Sequence, residues 1–369
     1  MDTFMEDLET KGYAIIPNVL DETECKKLEN GFWNFWARLT GGKIRQDDPK
    51  SWKEIYKFFP NHGMLIQHFS IGHMQEIWNL RCHPTVLEVF RRIWGTSELT
   101  VSFDGASTGF APEVTGRGWH LQDWLHLDQS VHRNEFECVQ SWLTPYDVGA
   151  GDGTLTLLEG SHKLHGAFAK HFGLGQAKQY RKDWLKFEPE QVAWYKAQGC
   201  KQVAVECPKG SMVLWESRTV HAGRSAVKGR PVARNRMVAY ISMMPVAQLK
   251  KHEIVKKQQA ILNGRLTSHW AAGRVKLFAK NPRTYGVALP PPVAYEPPKL
   301  TLKGAQLAGW HEHPESCPLL VEDPEERRLA CIETVQRFEN AKMKRKHDRE
   351  KAKAKRQRIR ESSSKKIKD

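Results

Sequence analysis

His126-Leu127-Asp128 sets an imidazole and a carboxylate two residues apart. Residues on an extended segment alternate faces, so His126 and Asp128 point the same way and can close on one ion. A second histidine stands further along, in Thr219-Val220-His221-Ala222-Gly223. If a strand of the same sheet system carries it to the first pair, the three make a two-histidine, one-carboxylate face. That is the ligand set of non-haem iron(II) oxygenases, which leaves positions open for a co-substrate and oxygen. His-x-Asp alone is a weak signal in a chain with 16 histidines and 42 acidic residues, where a surface hydrogen bond is its ordinary explanation. A competing pair, His120 and Asp123 in Trp119-His120-Leu121-Gln122-Asp123, has two spacers, which sends its side chains to opposite faces of a strand.

Elements able to position the triad follow in order. Val139-Gln140-Ser141-Trp142-Leu143 reads as a strand, Gly149-Ala150-Gly151-Asp152-Gly153 as a turn, Thr154-Leu155-Thr156-Leu157-Leu158 as a strand, and Glu159-Gly160-Ser161-His162 as a loop. Gly210-Ser211-Met212-Val213-Leu214-Trp215 is a strand leading to His221, and Arg236-Met237-Val238-Ala239-Tyr240 opens the next. Ahead of the triad, Asp21 and Glu24 form a capping box for a helix with Leu28, Phe32, Phe35 and Leu39 on one face. Pro84 starts a second helix that ends at Gly95. Residues 40–79, with His62, His68 and His73, are poorly periodic, and residues 106–119 read as a long loop delivering the metal motif.

Four blocks carry a resemblance: His126-Leu127-Asp128-Gln129-Ser130, Gly151-Asp152-Gly153-Thr154-Leu155 leading to Glu159-Gly160-Ser161-His162, Gly210 to Trp215 leading to His221, and Arg236 to Tyr240. In order and spacing, over about residues 4–245, they resemble the phytanoyl-CoA dioxygenase-like family of iron(II)/2-oxoglutarate oxygenases. The resemblance implies a mainly β fold with flanking helices, built on a double-stranded β-helix (jelly-roll, cupin-like) core. It further implies iron(II) at His126, Asp128 and His221, with 2-oxoglutarate chelating the metal and O2 as oxidant. An arginine at the start of the strand after the distal histidine would pair with the far carboxylate of 2-oxoglutarate. Arg224, Arg230, Arg234 and Arg236 are the candidates; Arg236 is preferred, and Arg234, taken to share its strand face, comes second. Gln140 and Thr156 are further candidates to face the co-substrate. Because Asp128 is present where related halogenases have a small residue, the resemblance points to hydroxylation, with release of succinate and CO2.

At 369 residues with 40% hydrophobic residues and 13 tryptophans, the chain has material for a real core, so it is not read as disordered. The acidic start, Met1 to Asp7, lacks the features of a signal peptide, and no run approaches the ~20 apolar residues that span a bilayer. Seven scattered cysteines fit reduced thiols of an intracellular protein. Of the net charge of +15, residues 341–369 hold +10, from 14 Lys/Arg and 4 Asp/Glu. The expected organisation is an oxygenase domain over residues 1–288, a Pro-rich linker or strap over 289–321, and a basic helical or disordered tail over 322–369. Residues 163–198 form a basic, aromatic insertion, and residues 246–263 a basic helix expected on the surface.

Residues 342–368 resemble a nuclear-localisation or nucleic-acid patch, with a solvated tail as the alternative. An intracellular protein is expected, nuclear if the tail acts as a signal and cytoplasmic otherwise. The leading functional reading is a hydroxylase of a small molecule of unidentified structure. Two others stand beside it: an inactive jelly-roll adaptor that binds nucleic acid or protein through its tail, and an oxygenase acting on a nucleic-acid or chromatin-associated substrate.

Overall fold

The computed structural model describes residues 3–58, 65–120, 124–176, 181–282, 284, 286 and 288–365. The expectations for His62, for Asp123 of the competing pair and for the tail residues 366–369 lie outside the described residues.

In chain order the strands are β1 (Tyr13–Ile16), β2 (Leu65–Ile66), β3 (Leu99–Val101), β4 (Ala106–Gly109), β5 (His126–Leu127), β6 (Val139–Leu143), β7 (Thr154–Leu158), β8 (Leu185–Lys186), β9 (Gln202–Ala204), β10 (Met212–Glu216), β11 (His221–Arg224), β12 (Arg236–Ile241) and β13 (Met243–Pro245). One antiparallel sheet runs β1-β10-β6-β12-β4-β2 and a second runs β8-β5-β11-β7-β9. Trp142, Trp215 and Val238 from the first sheet pack with Leu155 and Leu157 from the second, so the two sheets face each other. Strand alternation then assigns the outer faces. Val139 and Leu143 of the first sheet share one hydrophobic core with Leu28, Phe32 and Trp36 of the helix Glu22–Leu39. Leu158 and Ala222 of the second meet Phe168 and Tyr195, contributed by the helices His165–His171 and Pro189–Ala197 of the insertion. The result is mainly sheet with helices on the outside, consistent with a jelly roll.

The local signals in the first hundred residues act as read. Asp21 Oδ1 accepts from Glu24 N at 2.8 Å and Glu24 Oε2 from Asp21 N at 2.9 Å, which closes the capping box. Leu28, Phe32, Phe35 and Leu39 are buried beneath it, each worth about 1.5–3 kcal/mol in transfer terms. The helix Pro84–Trp94 begins on its proline and stops at Gly95, whose φ of 67° is the left-handed cap that suits glycine.

Two expectations need correction. Residues 106–119 are not one loop: Ala106–Gly109 is β4, paired with β12 and β2 within the first sheet. Its Ala-Ser-Thr-Gly composition has little β-propensity, and its place between two strands supplies the order. The basic helix Lys251–Leu262 does not lie on the surface, since Glu253, Lys257, Ala260, Ile261 and Leu262 are buried. Its charged side chains are buried because backbone groups meet them: Lys257 donates to Val101 O and to Ala271 O, and the Glu253 carboxylate accepts from Gly273 N and Val275 N. Residues 289–321 divide into two parts. Leu289 to Pro298 has no regular structure, as its prolines require, but Leu300, Ala305, Leu307, Ala308 and Leu319 belong to the main core.

The C-terminal helix Pro324–Lys365 starts on this core through Arg327 and Cys331 and is exposed at every position from Lys342 to Lys353. Among the described residues no helix is long and apolar enough to cross a membrane.

Candidate metal centre

β5 and β11 are neighbours, and their register sets His221 directly opposite His126. Directly opposed residues of an antiparallel pair share a face, which brings the ring centroids to 4.4 Å. Asp128, two residues beyond His126, points to the same side, with Oδ1 3.7 Å from His126 Nε2 and Oδ2 3.4 Å from His221 Nε2. Ligand atoms of His126, Asp128 and His221 all lie within 4.8 Å of one another. A metal held at about 2.0–2.2 Å by each ligand needs only a modest closing of such a group.

The backbone sets the imidazoles for this task. His126 Nδ1 lies 3.2 Å from Trp124 O and His221 Nδ1 2.8 Å from Thr219 O. Donation from Nδ1 to those carbonyls leaves each Nε2 with its lone pair toward Asp128. Burial, reinforced by His221, pushes His126 down to about 4. Burial alone would raise the Asp128 carboxyl, but the imidazoles of His126, His269 and His221 outweigh it and hold the group well below the usual carboxylate range. At neutral pH His126 is therefore neutral and Asp128 a carboxylate, the states in which each can ligate a metal.

Around the triad the other sequence candidates divide. Gln140 faces the site from β6, but its Nε2 donates to Asp128 Oδ2 at 3.0 Å, so it orients a triad residue. Thr156 does not face the site. It opposes Ala222 on the outer face of the second sheet, while Leu157 and His221 share the inner one, and Gln202 Nε2 reaches its hydroxyl at 3.4 Å. Arg236 shares the inner parity of Val238 on β12 and is 7% exposed, with its guanidinium 5.3 Å over the Trp142 ring. Its Nη1 donates to Gly153 O at 3.0 Å, and its Nε is buried without a partner. Arg234 lies before β12 begins, so strand parity does not apply to it, and it pairs with Asp152 at 3.2 Å. Arg230 is neutralised by Glu113 and the same Asp152. Arg224 ends β11 with a buried, unpartnered Nε, on the face opposite His221.

Sequence reasoning missed a third histidine. His269 Nδ1 lies 3.8 Å from Asp128 Oδ2, and its Nε2 is buried without a hydrogen bond. The clamp of Glu253 and Lys257 on residues 271–275 holds the segment that carries it. It also missed two indoles: Trp124 stacks on His126 at 4.6 Å, and Trp184 approaches the same ring at 6.2 Å. No periodicity or spacing marks any of the three.

Facing sheets with a two-histidine, one-carboxylate cluster on neighbouring strands define the class of protein. The chain belongs to the phytanoyl-CoA dioxygenase (PhyH) family, whose model matches residues 8–228. It is 30% identical over 182 residues to "Ava biosynthesis cluster protein O" of Aspergillus versicolor, covering 48% of this chain and 57% of that protein. A protein of Dictyostelium discoideum that carries the family's name is 22% identical over 280 residues, 66% of this chain and 75% of its own. Among solved structures, EctD from S. alaskensis with 2-oxoglutarate and 5-hydroxyectoine is a distant likeness, 12% identical with a TM-score of 0.43, covering 79% of this chain and 89% of that one.

The residues present fit iron and 2-oxoglutarate. Two imidazoles and a carboxylate suit iron(II), and the unpartnered Nε of a buried arginine suits a dicarboxylate.

Proposed function

We propose that the chain is an iron(II)- and 2-oxoglutarate-dependent dioxygenase with a jelly-roll core that hydroxylates a C–H bond of a small molecule. The observation that carries this reading is the His126–Asp128–His221 cluster, with Arg236 on the inner face of the opposing sheet without a carboxylate partner among the described residues. When bound, iron(II) with 2-oxoglutarate supplies the oxidation, in which one oxygen atom enters succinate as CO2 leaves and the other becomes the product hydroxyl. The protein's part is placement. His126 and His221 hold their tautomers through backbone carbonyls, Gln140 fixes the Asp128 carboxylate, and Arg236 would bind the far carboxylate of the co-substrate by a charge-assisted pair. Trp142 beneath the guanidinium keeps its geometry and excludes water from one side.

Succinate release in air tests the reading. Wild-type protein with iron(II) and 2-oxoglutarate should form succinate slowly even without substrate, and His126→Ala should form none while keeping its fold by circular dichroism. Equal rates in both would remove the triad from the reaction.

The exposed stretch from Lys342 to Lys353 supports a second role for the tail, binding of nucleic acid or another polyanion, with nuclear targeting as its consequence. Binding of a random DNA duplex should weaken steeply with salt and vanish on removal of residues 342–369. Unchanged binding by the shortened chain would exclude the tail.

A further inference from the structure

Trp124 and Trp184 come from distant parts of the chain and reach one imidazole, that of His126. Trp124 is stacked on it with 11° between the planes, and its Nε1 donates to Gly223 O at 2.6 Å, so the indole is fixed to both strands that bear the histidines. Even so, Trp124 is 38% exposed and Trp184 53%. A lone exposed tryptophan on a surface needs no explanation. Trp184 differs because the backbone that carries it is clamped. Its neighbour Asp183 accepts from Ser130 N at 3.2 Å and pairs with Arg133, which Glu137 holds from its other side at 2.7 Å. Directly after it, β8 pairs with β5, setting Lys186 opposite His126. A strand, an ion-pair network and a backbone hydrogen bond thus hold the backbone from which an exposed indole stands beside the metal cluster.

We propose that Trp184, with Trp124, is the platform on which the substrate rests, and that the substrate carries a flat aromatic ring system. The assignment rests on the dioxygenase reading for what happens to that substrate, but the platform itself depends only on the two indoles. Offset stacking on an indole face favours planar π-systems over saturated skeletons of the same size, and a fixed platform loses little entropy when it binds. The ring would sit within reach of the triad because one indole stacks on His126 and the other has its ring centre 6.2 Å from the same imidazole.

The test is ligand-observed NMR under argon with 2-naphthol and with decahydro-2-naphthol, its saturated counterpart, on full-length protein loaded with manganese(II) and 2-oxoglutarate. Saturation transfer reports binding, and paramagnetic broadening by manganese reports nearness to the triad. We expect 2-naphthol to bind and broaden, the saturated alcohol to bind about five- to tenfold more weakly, Trp184→Ala to lose about the same factor, and Trp184→Phe to retain most of the affinity. Equal binding of the two alcohols, no binding of 2-naphthol, or a Trp184→Ala protein that binds as the wild type does would overturn the platform. If manganese fails to bind while the dependence on Trp184 persists, the dioxygenase reading fails and the aromatic site stands.

Discussion

The two sides of the site are built differently. His126, His221, Gln140 and Arg236 stand on strands of the two facing sheets, where register and alternation fix which side chains converge. Trp184 and His269 come from outside that framework, one from the insertion before β8 and the other from a segment held by the helix Lys251–Leu262. Both are held by buried or partly buried charges: Arg133 with Asp183 and Glu137 on one side, Lys257 and Glu253 on the other. The first construction suits a reaction whose metal and co-substrate do not change. The second lets substrate contacts vary without disturbing the sheets.

Breaking the strand-borne half should have the largest effect. Asp128→Ala removes the only carboxylate of the triad, and we expect iron affinity by calorimetry to fall by at least about 100-fold and succinate formation to disappear. Arg236→Ala should raise the KM for 2-oxoglutarate by about 10–100-fold, with iron binding kept, whereas Arg234→Ala, already paired with Asp152, should change it less than about threefold.

The clamped half should respond next. His165 is buried in the insertion with Nε2 3.2 Å from Ser130 O, and burial pushes it down to about 4. Its folded pKa lies below its unfolded value, so the unfolded chain binds more protons; the stability it contributes is complete above about pH 6.5 and is lost as pH falls toward 4. Urea unfolding should show about 2 kcal/mol less stability at pH 5 than at pH 7 from this group, a loss that His165→Gln should reduce. Glu253→Ala frees Gly273 N and Val275 N, and we expect it to cost about 1–3 kcal/mol and to speed amide exchange at residues 269–275. Thr156→Val is the smallest case: on the outer face it should leave the 2-oxoglutarate KM within about twofold.

How much was legible follows the same division. His126 and Asp128 could be paired from parity together with the Gln129-Ser130 that follows, and Arg236 could be preferred because it opens the strand after His221, where the family resemblance puts an arginine. Parity is relative, however, and Thr156 shows its limit. A strand's alternation says that Thr156 and Leu157 face opposite ways, and only the pairing with His221 says which of them faces the metal. Arg234 was misplaced because a shared parity presumes a shared strand, and β12 begins two residues later. His269 was hidden by chemistry. A helix rich in lysine reads as a surface element until the carbonyls of Val101 and Ala271 are seen to receive Lys257, and the loop it anchors then comes inward with its histidine.

An anaerobic optical titration puts the triad and Arg236 to the test together. Iron(II) is added to folded wild type, Asp128→Ala and Arg236→Ala, followed by 2-oxoglutarate, and the visible charge-transfer absorption is recorded. We expect a band in the wild type, none in Asp128→Ala, and in Arg236→Ala a band that appears only at about 10–100-fold higher 2-oxoglutarate. A folded wild type that binds iron yet shows no band at any co-substrate concentration would contradict the dioxygenase reading.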